Sequence, residues 1–110
     1  MTTQQQEVKQ VENQHRKISG YRELSQQEID LMNRIKAKGA ELLELHQELA
    51  DKLLDDVRQK SKSALTDESQ RDELERFQSA EPQRWASIGK TDIQTGIMAL
   101  VRAVAQPVGV

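Results

Sequence analysis

The chain has 110 residues and a mass of 12.6 kDa, the length of one small domain. Hydrophobic residues make up 35%, charged residues 31% and the mean hydropathy is −0.78, so the core is lean and self-association is expected to complete its burial. Three aromatics (Tyr21, Phe77, Trp85), no cysteine and a net charge of −2 argue against an all-β fold, disulfides, thiolate chemistry and general binding of DNA or RNA duplexes.

Residues 1–18 are Gln-rich and weakly apolar, which predicts a polar N-terminal arm, either a frayed helix or disordered. Its opening MTTQQQEVKQ is not secretory, and no run approaches the roughly 18 apolar residues of a membrane span. A cytoplasmic protein is expected. A single helical domain over 19–108 follows the arm. Ser25-Gln26-Gln27-Glu28 fits a capping box, in which the Ser25 hydroxyl accepts a first-turn N–H while the Glu28 carboxylate reaches back. Behind it Met32, Ile35, Gly39, Leu42, His46, Leu49 and Leu53 recur at helical spacing, flanked by further leucines that widen the apolar face. This predicts a helix over about 26–60.

Lys60-Ser61-Lys62-Ser63 reads as a turn, and Thr66 ahead of Asp67-Glu68 as a second helix start. The mostly polar stretch 67–80 is expected to form a partly solvated helix. Pro82 suits the first turn of a renewed helix, whose apolar positions Trp85, Ile88, Ile93, Ile97, Leu100, Val101 and Val104 run on until Pro107. The predicted fold is all-α: a long antiparallel helical hairpin with a short N-terminal helical arm, assembling into a compact homo-oligomer.

A turn near 63–64 would set Lys36 against Lys90-Thr91, and Gly39 against Ile88-Gly89, where two glycines permit close backbone approach or else mark a kink. Arg34, Lys36 and Lys38 would then meet Arg84 and Lys90, away from an acidic middle. Such a cluster beside a tyrosine suits a small polyanion: lysine gives point charges, arginine a bidentate fork, and a tyrosine ring can stack on a base. The same residues also read as an ordinary solvated helix face, with Tyr21 a plug over a helix end. His46 is expected to be a satisfied seam histidine and Trp85 a core anchor. There is no HxxxH pair, carboxylate–histidine cluster or Gly-rich phosphate loop, so neither catalysis, nor a metal, nor a cofactor is expected.

The blocks Ile18-Ser19-Gly20-Tyr21-Arg22-Glu23-Leu24-Ser25 and Ile35-Lys36-Ala37-Lys38-Gly39 resemble the phage anti-CBASS cyclic-oligonucleotide sponge family. So do Arg84-Trp85-Ala86-Ser87-Ile88-Gly89-Lys90-Thr91 and the tail Gly96–Pro107. The resemblance covers roughly 18–57 and 82–108, and the Gln-rich arm and polar 58–81 stretch depart from shorter members. It implies hexameric helical hairpins that sequester cyclic dinucleotides and, at separate sites, cyclic trinucleotides, without cleaving them. This would keep a CBASS effector silent in the cytoplasm of the infected bacterial host. Tyr21 and Lys36 match the family's cyclic-dinucleotide residues and Arg84 its cyclic-trinucleotide arginine; Lys38, Lys90 and Thr91 are neighbours added to that set.

Symmetry makes the implied sites physically sensible. Two copies of Tyr21 and Lys36 across a protomer interface would each hold half of a near-twofold ligand, and three copies of Arg84 would meet three phosphates. The alternative from the apolar stripe alone is a structural helical oligomerisation module with no small-molecule ligand.

Overall fold

The computed structural model describes residues 22–108, and every regular element among them is a helix: α1 (Gln26–Ser63), α2 (Glu68–Ala80) and α3 (Pro82–Ala105). The chain is an all-helical hairpin, with α1 as the outgoing arm and α2 and α3 as the return. The N-terminal arm 1–18 and Tyr21 lie outside the described residues.

Each helix boundary has a local cause. The capping box at α1 forms as expected: the Glu28 N–H donates to Ser25 Oγ at 3.1 Å, and the Ser25 N–H donates to Glu28 Oε1 at 3.0 Å. The helix then runs three residues past the predicted stop. Lys60 and Lys62 sit in its last turn, where cations suit the negative end of the helix. Asp67, and not Thr66, caps α2: its carboxylate accepts from the Ser69 N–H at 3.0 Å and the Ser69 hydroxyl at 2.8 Å. Glu81 separates α2 from α3 in a left-handed conformation (φ 51°), its N–H bonded to the Gln78 carbonyl at 3.1 Å. Pro82 opens α3 as predicted. A second left-handed residue, Gln106 (φ 50°), ends it, with its N–H on the Arg102 carbonyl at 2.7 Å and Pro107 directly after. No break occurs at Thr91; its hydroxyl donates to the Ser87 carbonyl at 3.3 Å within a continuous helix.

The described residues form two compact units, and α1 and α3 each contribute to both. The central unit is Lys38–Gly96. Leu53, Ala64 and Phe77 are buried in it, and the Lys60 ammonium stands 5.6 Å from the centre of the Phe77 ring. Lys60 also pairs with Glu73 at 3.1 Å, and Arg71 Nε donates to the Ala64 carbonyl at 3.0 Å, which ties α2 to the end of α1. The terminal unit takes the described residues up to Ala37 together with those from Ile97 onward, and Ala105 is buried in it.

Only four hydrophobic residues are buried among those described, while Leu42, Leu45, Leu49 and Trp85 are 45–59% exposed. Trp85 is therefore not a core anchor within one chain. Along the same stripe Leu100 is also exposed, whereas Ile88, Ile93, Ile97, Val101 and Val104 are partly covered.

Candidate functional site

A groove opens on an apolar face in each unit. The groove in the central unit, of about 780 Å³, is walled by Leu42, Leu45, Leu49, Trp85 and Ile93, with Gly89 in its floor. Among the described residues nothing lies within 4 Å of where a Gly89 Cβ would stand, so this glycine serves no close approach between them. His46 reaches the same groove half-buried, and among the described residues its Nε2 has no hydrogen-bond partner. The expected satisfied histidine is thus left with an orphan nitrogen.

The groove in the terminal unit, of about 350 Å³, brings Lys36 together with Ile97, Met98, Val101, Arg102, Ala105 and Pro107. The sequence reading set Lys36 opposite Lys90-Thr91. Its groove partners begin about two helical turns further along α3, and Lys90 and Thr91 belong to the other unit. The cause is the longer outgoing arm. The turn falls at 64–67 instead of 63–64, and in a hairpin every residue added before the turn shifts the partner by about two. Glu81 adds one more non-helical residue to the return.

Arg22 fixes the entry to the terminal unit. Its guanidinium takes both oxygens of Glu28 and donates to the Val104 carbonyl at 2.7 Å, one of the carbonyls that the end of α3 leaves without an intrahelical donor. The Arg22 contact, helped by the Ser25 N–H, holds the Glu28 carboxyl down at about 2.

The other predicted residues sit in the central unit, and most have local partners. Arg84 pairs with Glu81 at 3.2 Å and lies 5.3 Å from the centre of the Trp85 ring. Lys38 pairs with Glu41 at 3.4 Å, and both are exposed. Lys90 is exposed on α3, one residue before the back-bonded Thr91. Residues predicted for the two ligand classes, Lys36 on one side and Arg84 on the other, are therefore in different compact units.

A family model described as Acb2/Tad1, hairpin domain, matches residues 68–105. Over 107 residues the chain is 60% identical to Anti-CBASS protein 2 of Pseudomonas phage JBD67, a match spanning 90% of this chain and 99% of that protein. The chain belongs to the anti-CBASS protein 2 family. The hairpin match takes in α2 and α3, so the polar 58–81 stretch contains a helix within the family's own hairpin.

Among the described residues of this anti-CBASS family member, no group of three or more His, Cys, Asp or Glu is placed to hold a metal ion, and no helix is long and apolar enough to cross a membrane. Two features escaped the sequence reading. Arg102 is one, and its position four residues after Met98, on the same helical face, is the spacing that would have marked it. The second role of Glu28, as partner of Arg22 as well as cap, joins residues six apart across a non-helical lead, which no helical spacing marks.

Proposed function

We propose that this chain binds and sequesters cyclic dinucleotides and cyclic trinucleotides without cleaving them, and so blocks CBASS immunity in the cytoplasm of an infected bacterium. The 60% identity to Anti-CBASS protein 2 carries the reading. The groove that sets Lys36 against apolar walls supports its cyclic-dinucleotide part. Apolar surface suits the faces of bases and a cation suits a phosphodiester. At about 350 Å³ the groove stands at the low end of ligand sites, which fits a design in which two protomers each hold half of one ligand. Tyr21 and Lys36 bind the cyclic dinucleotide. Arg84 serves the cyclic trinucleotide, and its Glu81 contact is exposed and exchangeable; Lys38, Lys90 and Thr91 are further ligand-binding neighbours of these residues. Self-assembly to a homohexamer covers the leucines and Trp85 that a single chain leaves open. Duplex DNA and RNA are not partners, and the protein is not an enzyme.

Calorimetry against a panel of cyclic di- and trinucleotides, followed by denaturing release, tests this. Binding of both classes and recovery of intact ligand are expected. At 100 times its dissociation constant a ligand adds about 2.7 kcal/mol of stability, read as a rise in melting temperature. Linear products that accumulate with protein concentration would overturn sequestration. An oligomer with no shift for any cyclic nucleotide would support the structural-module reading, which the uncovered apolar faces also favour.

A further inference from the structure

From the groove of the terminal unit, we infer that Arg102 is a second cationic ligand residue, holding the phosphodiester of a cyclic dinucleotide alongside Lys36. The inference rests on the function proposed above and adds a residue to it. Lys36 and Arg102 line one groove from different helices, and among the described residues no ion pair or side-chain hydrogen bond joins either to another group. In the same chain Arg22, Lys38, Lys52, Lys60, Arg76 and Arg84 all have acidic partners. Two unpaired cations beside Ile97, Met98 and Val101 form a site complementary to an anion that carries flat apolar groups.

A structural role for Arg102 would be to neutralise the negative end of α3, since it lies in the last turn. Arg22 already supplies a cation there, on the Val104 carbonyl at 2.7 Å. Among the described residues the guanidinium of Arg102 has no ion pair and no hydrogen bond. Its backbone is nonetheless held, because the Arg102 carbonyl accepts the Gln106 N–H at 2.7 Å where the helix closes. A fork carried on a fixed backbone takes both non-bridging oxygens of one phosphodiester with little ordering cost. Lysine at 36 supplies a point charge to the same group.

The test uses full-length wild type, Arg102→Ala, Arg102→Lys and Arg58→Ala, the last removing an exposed charge of the same sign from the central unit. Each is titrated calorimetrically with a cyclic dinucleotide at several salt concentrations, then with a cyclic trinucleotide, and its melting temperature is recorded. Arg102→Ala is expected to weaken the dinucleotide at least tenfold and to flatten the salt dependence, because one phosphate contact is gone. Arg102→Lys should keep the salt slope with an intermediate loss, and Arg58→Ala should match wild type. Trinucleotide affinity should stay unchanged throughout. Wild-type affinity and slope in Arg102→Ala would overturn the inference alone, while wild type that binds no cyclic dinucleotide would overturn both it and the function beneath it. Equal loss of both ligands with a lowered melting temperature would make Arg102 structural and overturn the inference as well.

Discussion

In the central unit the described cations are mostly neutralised by acids close at hand: Lys60 and Arg76 converge on Glu73, Lys52 holds Asp56, and Arg84 holds Glu81. In the terminal unit one arginine is spent on structure, bridging Glu28 and the end of α3, while among the described residues Arg34, Lys36 and Arg102 have no acidic partner, and the last two stand beside an apolar groove. The central unit has the buried aromatic ring; the terminal unit buries only Ala105 among its described hydrophobics. Charge that is already paired contributes little to holding a ligand, because the acid must be displaced first. Unpaired charge on an apolar wall is where an anion gains most.

The sharpest way to break this contrast is to delete the two predicted ligand sets separately. Tyr21→Ala removes a stacking surface of about 1–3 kcal/mol per base, and twice that where two copies hold one ligand. Lys36→Ala removes the charge contact to the same ligand. Both should abolish tight cyclic-dinucleotide binding and spare cyclic trinucleotides, and Arg84→Ala should do the reverse. Paired titrations on folded, still-oligomeric variants check it. Equal loss of both ligand classes in Arg84→Ala would replace two sites with one shared basic pocket.

Stability should divide along the same line. Phe77→Ala empties the best-buried hydrophobic position described in the central unit, where Phe77 is only 7% exposed, and should cost about 3–5 kcal/mol in chemical denaturation. If the terminal groove owes nothing to that core, cyclic-dinucleotide affinity in the variant should be unchanged wherever the protein remains folded. A parallel loss would show the units to be coupled.

Acid sharpens the contrast further. Glu28 in the terminal unit and Glu73 in the central unit both have carboxyls lowered to about 2, Glu28 chiefly by Arg22 and Glu73 chiefly by Arg76 and then Lys60. A lowered carboxyl contributes its full stability above its ordinary value near 4.5 and loses it as pH falls toward 2. The melting temperature should therefore decline over that window. Glu28→Gln and Glu73→Gln should each flatten part of the decline, and the double variant should flatten more than either. An unaltered profile in Glu28→Gln would remove the clamp from the account of the terminal unit.

What could be read from the sequence was local. The Ser25–Glu28 box, Pro82 at the start of α3 and Pro107 past its end each depend on residues within a few positions, so spacing alone exposes them. The hairpin register was not legible, because a small error in the turn doubles in the partner position and Glu81 gives no sign in its residue type of adopting φ 51°. That error moved Lys36 from Lys90 to Arg102. The exposure of Trp85 was hidden for another reason: periodicity tells which face of a helix is apolar, not whether anything covers it.

Gly89 tests that cover with the smallest expected effect. It lies inside α3, where alanine would favour the helix by about 1 kcal/mol, and among the described residues nothing stands within 4 Å of the added Cβ. Within a single chain Gly89→Ala should therefore stabilise, raising the melting temperature by several degrees. The groove it lines carries exposed leucines and Trp85, the surface proposed to be covered on assembly. If that covering surface approaches the helix backbone closely, the added methyl displaces it, and the variant loses oligomer while its isolated chain gains stability. Light scattering alongside thermal melting separates the two effects. A raised melting temperature with the assembly intact is the expected result; dissociation would place a second copy of the chain directly against Gly89.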